Sequence, residues 1–238
     1  MMKQITTILI ALLFGINGVY SQALDGEWNV TGETPKGQSY EGSIKMTFIG
    51  KAMYKLNWDV LYKGEDEIKT FPGTAFYDKE NRKLTAAYGV ETERYGLFSY
   101  DLNEEGGLFG TGLWTSHKGK GAELIGGELG KDVIEGRYEV VGRRPQGDVT
   151  KQISETYKGI LEIKKNGKRY HLTWTLGDNT PYNGFGYVSG DKLVGVWGIG
   201  EDYGLETYTL DETRLLGTAK WTSPFYDFKP GMETISKK

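Results

Sequence analysis

The chain contains two copies of one strand pattern, and this repeat restricts its fold more than any other feature of the sequence. The segment LLGTAKWTS at residues 215–223 repeats the segment LFGTGLWTS at residues 108–116. In both copies a leucine, a glycine, a second small residue and a tryptophan fall on alternate positions. A period of two is typical of a β-strand with one buried face. We therefore expect two homologous units built of strands.

Other segments repeat in the same order and set the bounds of the two units. GEWNVTG at residues 26–32 matches GRYEVVG at residues 136–142, close to the start of each copy. Further matches run through both copies until the tryptophan strand is reached. The sequence therefore predicts a first unit at residues 24–129 and a second unit at residues 134–238, with a junction near residues 130–133.

About eight short strands fit each unit, and no helical pattern follows residue 23. The strands are separated by tight turns, of which Asn166-Gly167 is a strong signal for a two-residue hairpin. Such a meander leaves two unpaired edges unless it closes on itself. We predict an all-β protein of two homologous antiparallel up-and-down meanders, closed as barrels of about eight strands. Two open meanders sharing one core, or six or seven strands per unit, also fit the sequence.

Residues 1–23 have the pattern of a secretory signal peptide. Lys3 precedes an apolar run from Ile5 to Ile16, which is followed by small and polar residues. The run is shorter than the roughly 20 residues that span a bilayer, so we expect no membrane span in the mature chain. No cysteine is present for lipid attachment or disulfides. We expect a secreted or periplasmic protein.

Charge and composition argue against two classes of site. Without Lys3, 28 basic and 32 acidic residues remain, and the two signs are interleaved along the chain. This distribution lacks the clustered basic face of nucleic-acid binding, so we expect no nucleic-acid partner. Two histidines without cysteine offer no zinc pattern, and we expect no metal and no cofactor. The oligomeric state stays open.

The order of these motifs resembles two groups of proteins. The succession Y-x-G, Y-x-L-x-W, G-x-G and L-x-G-x-x-x-W resembles tandem repeats in secreted bacterial proteins of unknown function. Gly26-Glu27-Trp28 also resembles the G-x-W that opens the lipocalin and avidin barrels, the calycins, in which the tryptophan closes one end. Tyr138 stands at this position in the second unit. The resemblance implies calycin-like barrels.

Four aromatic positions recur between the units and include all six tryptophans. They are Trp28 with Tyr138, Trp58 with Trp174, Tyr88 with Trp197, and Trp114 with Trp221. Small residues share their face, namely Ala86, Gly110 and Gly112 in the first unit and Gly195, Gly217 and Ala219 in the second. Packing of rings against small residues explains the pattern most simply. A ligand cavity lined by these rings is the alternative.

Glu123 and Glu233 recur near the ends of the two units. One carboxylate per unit lacks the second group that acid–base chemistry needs, so a structural role is the simpler interpretation and we assign no catalytic residue. An envelope hydrolase that uses Glu123 and Glu233 is the enzyme hypothesis.

Differences between the copies locate the predicted ligand site. Phe98 in the first unit corresponds to Glu206 in the second, so the first interior should be more apolar. A buried Glu206 requires water, a cation or a polar group of a ligand. The predicted site therefore lies in the second unit and is framed by Trp174, Trp197, Glu206, Tyr208 and Trp221.

Two functions remain besides the enzyme. The first is a non-catalytic binding protein for a small, partly apolar ligand, hydrophobic or aromatic, or for a partner. The second is a structural or interaction protein that has solid cores and recognises partners through its outer strands and loops.

Overall fold

The structure is a computed structural model that describes residues 24–50, 52–90, 94–116, 119–126, 133–143, 156–177 and 181–238. These residues form sixteen antiparallel strands, one short 3-10 helix and no α-helix, which confirms the all-β prediction. No described segment forms a helix with the length and apolar character needed to cross a membrane. The predicted signal peptide lies outside the described residues, and so does the predicted junction except for Val133.

The strands close into two eight-stranded barrels, as predicted. In the first barrel the strands follow one another around the wall in this order: β1 (Gly26–Glu33), β2 (Ser39–Gly50), β3 (Met53–Tyr62), β4 (Ile68–Asp78), β5 (Lys83–Gly89), β14 (Tyr203–Leu210), β15 (Leu216–Thr222) and β16 (Gly231–Lys237). The 3-10 helix (Pro224–Tyr226) lies between β15 and β16.

The second barrel is a continuous meander in which the last strand pairs with the first. Its strands in order are β6 (Tyr95–Leu102), β7 (Leu108–Ser116), β8 (Gly119–Gly126), β9 (Gly136–Arg143), β10 (Thr156–Asn166), β11 (Arg169–Leu176), β12 (Pro181–Ser189) and β13 (Lys192–Gly198). The whole second barrel is therefore inserted between β5 and β14 of the first.

The predicted bounds of the two units, 24–129 and 134–238, do not match the barrels. Each barrel combines five strands from one repeat with the last three strands of the other repeat. β5 pairs with β14 instead of β6, and β13 pairs with β6 instead of β14. Sequence similarity identifies the repeats, but it does not determine which copy of a strand completes which barrel.

The fit of large against small residues favours this exchange. Phe98 lies opposite Gly195, and a Cβ atom on that glycine would stand 2.7 Å from Phe98 Cζ. A Cβ on Gly186 would stand 3.0 Å from the same atom. The corresponding residues in the first repeat are Ala75 and Ala86, so the direct pairing of β5 with β6 would force Phe98 against two methyl groups. Overpacking of this kind typically costs about 1–3 kcal/mol.

A third apolar cluster lies where the chain passes between the barrels. There Val90 N donates to Asp202 O across the two connections, at 2.8 Å. The cluster consists of Ala87, Tyr95, Leu97, Phe185, Val196, Tyr203 and Leu205. These residues alternate with barrel-interior residues, so β6 and β14 are buried on both faces over most of their length. The exchanged strands therefore lie within the contact between the two barrels.

Equivalent aromatic residues are buried near the start of the first strand of each repeat. Trp28 is fully buried and its Nε1 donates to the carbonyl of Leu24 at 3.0 Å. Tyr138 is buried at the matching position, and its hydroxyl donates to the carbonyl of Ile134 at 2.9 Å. In both copies, one aromatic side chain thus holds the segment that precedes the strand through a hydrogen bond.

We expect residues 95–198 to fold as an isolated fragment, because this segment supplies every strand pairing of the second barrel, including the β6–β13 closure. The measurement is urea unfolding followed by tryptophan fluorescence and circular dichroism. Residues 24–129 serve as the control, since this fragment lacks strands that both barrels require. Cooperative unfolding of 24–129 together with an unfolded 95–198 would contradict the exchanged topology.

Candidate functional site

A cavity of about 260 Å³ occupies the interior of the first barrel. It reaches the surface, because Lys69, Glu201 and Phe225 line its outer part and are exposed. Its deeper part is lined by aromatic rings and by the carboxylates of Glu206 and Glu233. The inward position of both carboxylates follows from strand alternation, since Glu206 shares its face with Tyr208.

Glu233 is held by three side-chain donors from three other strands. Its Oε2 accepts from the Tyr40 hydroxyl at 2.7 Å, and its Oε1 accepts from the Tyr208 hydroxyl. Trp58 Nε1 lies 3.4 Å from the same Oε1 and 3.1 Å from the Tyr208 oxygen. These contacts satisfy both oxygens of a carboxylate that is only 5% exposed. Glu233 is therefore a well-bonded centre of the barrel interior.

Glu206 lies in the same interior without such a set of donors. Its side chain is 2% exposed, and its Oε1 has no hydrogen-bond partner. It stands opposite Ala86 on β5 and Trp221 on β15, neither of which provides a bond to Oε1. A buried carboxylate oxygen without a donor costs free energy. Two buried polar atoms of the residues that line the cavity have no hydrogen-bond partner, namely this acceptor and the donor Nε1 of Trp221.

Burial shifts the acidity of both carboxyl groups in the same direction. Burial raises the pKa of Glu206 well above its usual range, and the nearby charge of Glu233 raises it further, while a hydrogen bond from Tyr208 opposes the shift. Burial also raises the pKa of Glu233 to about 7, although hydrogen bonds from Tyr208, Tyr40 and Trp58 oppose this shift. Two carboxylates in one apolar interior are not both ionised easily. The pair can therefore take up or release a proton near neutral pH.

Aromatic rings form the wall around the carboxylates. Tyr88 meets Trp58 edge to face at 6.2 Å, Phe71 at 6.2 Å and Trp221 at 6.4 Å between ring centroids. Tyr226, from the 3-10 helix, meets Trp221 at 5.4 Å. Edge-to-face contacts are the favoured geometry of such rings. The wall is thus a connected aromatic surface with two acids at one side.

The second barrel repeats the arrangement around one carboxylate. Glu123 accepts from the hydroxyls of Tyr100 and Tyr157, both at 2.6 Å, and lies 3.3 Å from Trp174 Nε1. Trp174 Nε1 also lies 3.0 Å from the Tyr100 oxygen. Glu123 is 4% exposed, and burial raises its pKa while these three donors oppose the rise. The carboxylate with two tyrosines and a tryptophan is therefore common to both barrels.

The two interiors differ at the position next to this network. Phe98 stands in the second barrel where Glu206 stands in the first, and its ring meets Trp174 at 5.5 Å and Tyr100 at 5.5 Å. The ring lies over Gly186 and Gly195, whereas Glu206 is accompanied by Ala75 and Ala86. The second barrel thus fills this volume with a ring.

The structure divides the predicted ligand site between the two barrels. Glu206, Tyr208 and Trp221 line the first barrel, while Trp174 and Trp197 belong to the second. The prediction that these five residues frame one interior is therefore wrong, because the strand exchange separates them. The prediction that Glu206 points inward agrees with its burial. The expectation of a more apolar first interior is also wrong, since the first barrel contains Glu206.

The predicted ligand site omitted three residues of the cavity, two of which belong to the recurring aromatic positions of the sequence. Tyr40, Trp58 and Tyr88 come from the first repeat and meet Glu206 and Glu233 only through the exchange. The interpretation that Glu233 lacks a nearby acid is also wrong, because Glu206 of the same repeat lines the same cavity. The sequence feature that could have predicted the exchanged strand pairing is the match of the large Phe98 to two glycines in the other repeat. No group of three or more metal-ligating side chains occurs within the described segments.

We expect the free energy of unfolding to fall as pH rises from about 4.5 to about 7. The raised pKa values keep Glu206 and Glu233 protonated in the folded state at pH values at which the same groups are ionised in the unfolded chain. The stability that is fully present below the unfolded-state pKa is therefore lost as the pH rises towards the folded-state pKa. Urea unfolding at several pH values measures the slope. Glu206→Gln should reduce it, and an unchanged slope in this variant would contradict the assignment.

We expect Glu123→Ala to destabilise the second barrel by at least about 2 kcal/mol, because Tyr100, Tyr157 and Trp174 lose their common acceptor. Glu123→Gln is the matched control, since its amide oxygen keeps one acceptor and should lose less. Urea midpoints of both variants provide the comparison. Equal stability of wild type and Glu123→Ala would show that the network does not support the fold.

Comparison with protein-family models, with curated proteins and with solved structures gave no match to this chain. A fold by itself does not determine function, and chemistry resides in the site that the fold carries. The basis for a functional assignment is therefore the first barrel, with its cavity, its aromatic wall and its two buried carboxylates.

Proposed function

We propose that this protein is a non-catalytic binding protein for a small, partly apolar ligand, and that the ligand occupies the cavity of the first barrel. The observation that carries this proposal is the unpartnered Oε1 of Glu206 within a cavity of about 260 Å³. A ligand group that bonds to this oxygen offsets the cost of burying it. The pattern of residues 1–23 supports a site of action outside the cytoplasm.

The comparison between the two barrels argues against the interpretation that the interior of the first barrel is only a filled core. Phe98 with Gly186 and Gly195 fills the corresponding volume of the second barrel. The chain therefore contains a stable, apolar solution for this position and uses it only once. With Glu206 at this position, the first barrel lacks the ring packing that Phe98 provides in the second barrel. A binding role gives a physical reason for a buried carboxylate at this position.

The shape and lining of the cavity are those of a ligand site. Binding sites for small molecules are concave, mostly apolar and equipped with a few placed polar groups. Here the aromatic wall supplies the apolar area, and Glu206 supplies the polar anchor. The volume of about 260 Å³ lies just below the roughly 300–1,000 Å³ typical of such sites, which favours a small ligand.

One observation favours acid–base catalysis as a second candidate function. Glu206 and Glu233 line the same cavity but differ in environment, since only Glu233 is bonded by three donors. Paired carboxyl groups with different environments can divide the roles of acid and base. Turnover of a bound compound, lost in Glu206→Gln while binding is retained, would establish this function in place of simple binding.

A transplant of the second interior into the first tests the binding function. We expect the triple variant Ala75→Gly, Ala86→Gly, Glu206→Phe to fold, because it copies the packing around Phe98, and to lose ligand binding. The measurement is tryptophan fluorescence titrated against a panel of small amines, alcohols, carboxylic acids and aromatic compounds. The single change Phe98→Leu in the second barrel is the control and should keep binding. Unaltered binding by the triple variant would place the site elsewhere.

A further inference from the structure

We infer that the first barrel binds an organic ammonium ion, with its N–H group donating to Glu206 Oε1 and its apolar part lying among the aromatic rings. This inference rests on the proposed function and specifies the chemical class of its ligand. Three features carry it: an excess of acidic residues along the cavity, a buried acceptor without a donor, and a wall of ring faces and edges.

The charge of the cavity favours a cation. Five acidic residues line it, namely Glu65, Glu201, Asp202, Glu206 and Glu233. Lys69 is the single basic residue in the described lining, and its Nζ already lies 2.8 Å from Glu65. Clefts lined by one sign of charge concentrate ligands of the opposite sign. An anionic ligand would therefore find no unpaired basic side chain in this described lining.

The buried acceptor Glu206 Oε1 favours a ligand that donates a hydrogen bond. An ionised carboxylate accepts hydrogen bonds and cannot donate them, and buried charges are stable only when they are paired. Glu233 already has donors on both oxygens, whereas Glu206 Oε1 has none. An ammonium group supplies the donor and the compensating charge together, with a charge-assisted bond that is stronger than a neutral one.

The aromatic wall suits the same ligand. Trp58, Tyr88 and Trp221 surround the acids with edge-to-face contacts of 6.2–6.4 Å. A cation over the face of such a ring gains about 0.5–2 kcal/mol, with the larger values in desolvated sites. The rings also bury the apolar part of the ligand. The first barrel thus combines aromatic rings with carboxylates, two kinds of group that attract ammonium ions.

A neutral ligand would bind through the opposite protonation state. A protonated Glu206 could donate to a carbonyl or hydroxyl oxygen, whereas an ammonium ion requires the ionised form. The titratable groups that face Glu206 are Glu233 on β16, Tyr208 on β14, Tyr88 on β5 and Tyr40 on β2. Burial raises the pKa of all three tyrosines, so they stay neutral and the two carboxyls govern the pH dependence.

The test uses benzylammonium and its uncharged isostere benzyl alcohol with the full mature chain. Isothermal titration calorimetry measures both affinities at pH values between about 5 and 8. We expect benzylammonium to bind at least tenfold more tightly than benzyl alcohol near neutral pH. Its affinity should rise by up to about tenfold per pH unit over the range in which binding releases one proton.

Two variants with the same change in net charge locate the contact. Glu206→Gln keeps the shape of the side chain and removes its charge, and it should weaken benzylammonium binding at least tenfold while leaving benzyl alcohol unaffected. Glu105→Gln makes the same charge change in an exposed turn of the second barrel and should leave both affinities within twofold of wild type.

Other results overturn the inference in distinguishable ways. If benzyl alcohol binds as tightly as benzylammonium, or if affinity falls as pH rises, the site takes a neutral acceptor; the ammonium assignment is then wrong and the binding function stands. If benzylammonium does not bind at all, the ammonium assignment is also wrong. The panel titration with the triple variant then decides the binding function independently.

Discussion

The pairing of β5 with β14 and of β13 with β6 is the constraint on which the rest of the structure depends. It determines which copy of each interior residue faces which. Glu206 meets Ala86 and Phe98 meets Gly195 only because the strands are exchanged between the repeats. A barrel closed within one repeat would oppose a ring to alanines and a carboxylate to glycines, with overpacking in one interior and a void in the other.

The same pairing separates a shared scaffold from a specialised site. Both interiors hold one glutamate bonded by two tyrosines and a tryptophan, so this network belongs to the architecture of the barrel. Such a network is stable because each buried oxygen has donors. Glu206 is an addition to it and has no counterpart in the second barrel. Function is therefore best sought in what the first barrel adds.

Local sequence patterns predicted much of the architecture. Period-two alternation identified the strands, and the need to remove sheet edges indicated closure into barrels. The inward face of Glu206 and Trp221 follows from the same alternation. The assignment of strands to barrels could not follow, because homologous strands have nearly equal local preferences. Only a long-range fit such as Phe98 against Gly186 and Gly195 distinguishes the partners, and that fit depends on three-dimensional register.

Because of the exchange, each of the two barrel interiors is built from residues of both repeats. Each interior takes its tryptophan of the Y-x-L-x-W motif from one repeat and its buried glutamate from the other. A change of size at position 206 or 98 is therefore compensated in the opposite repeat, at Ala75 and Ala86 or at Gly186 and Gly195. Because β6 and β14 are also buried between the barrels, the strand that carries Glu206 is held on both faces. The carboxylate is thus presented to the cavity from one of the most firmly packed strands of the protein.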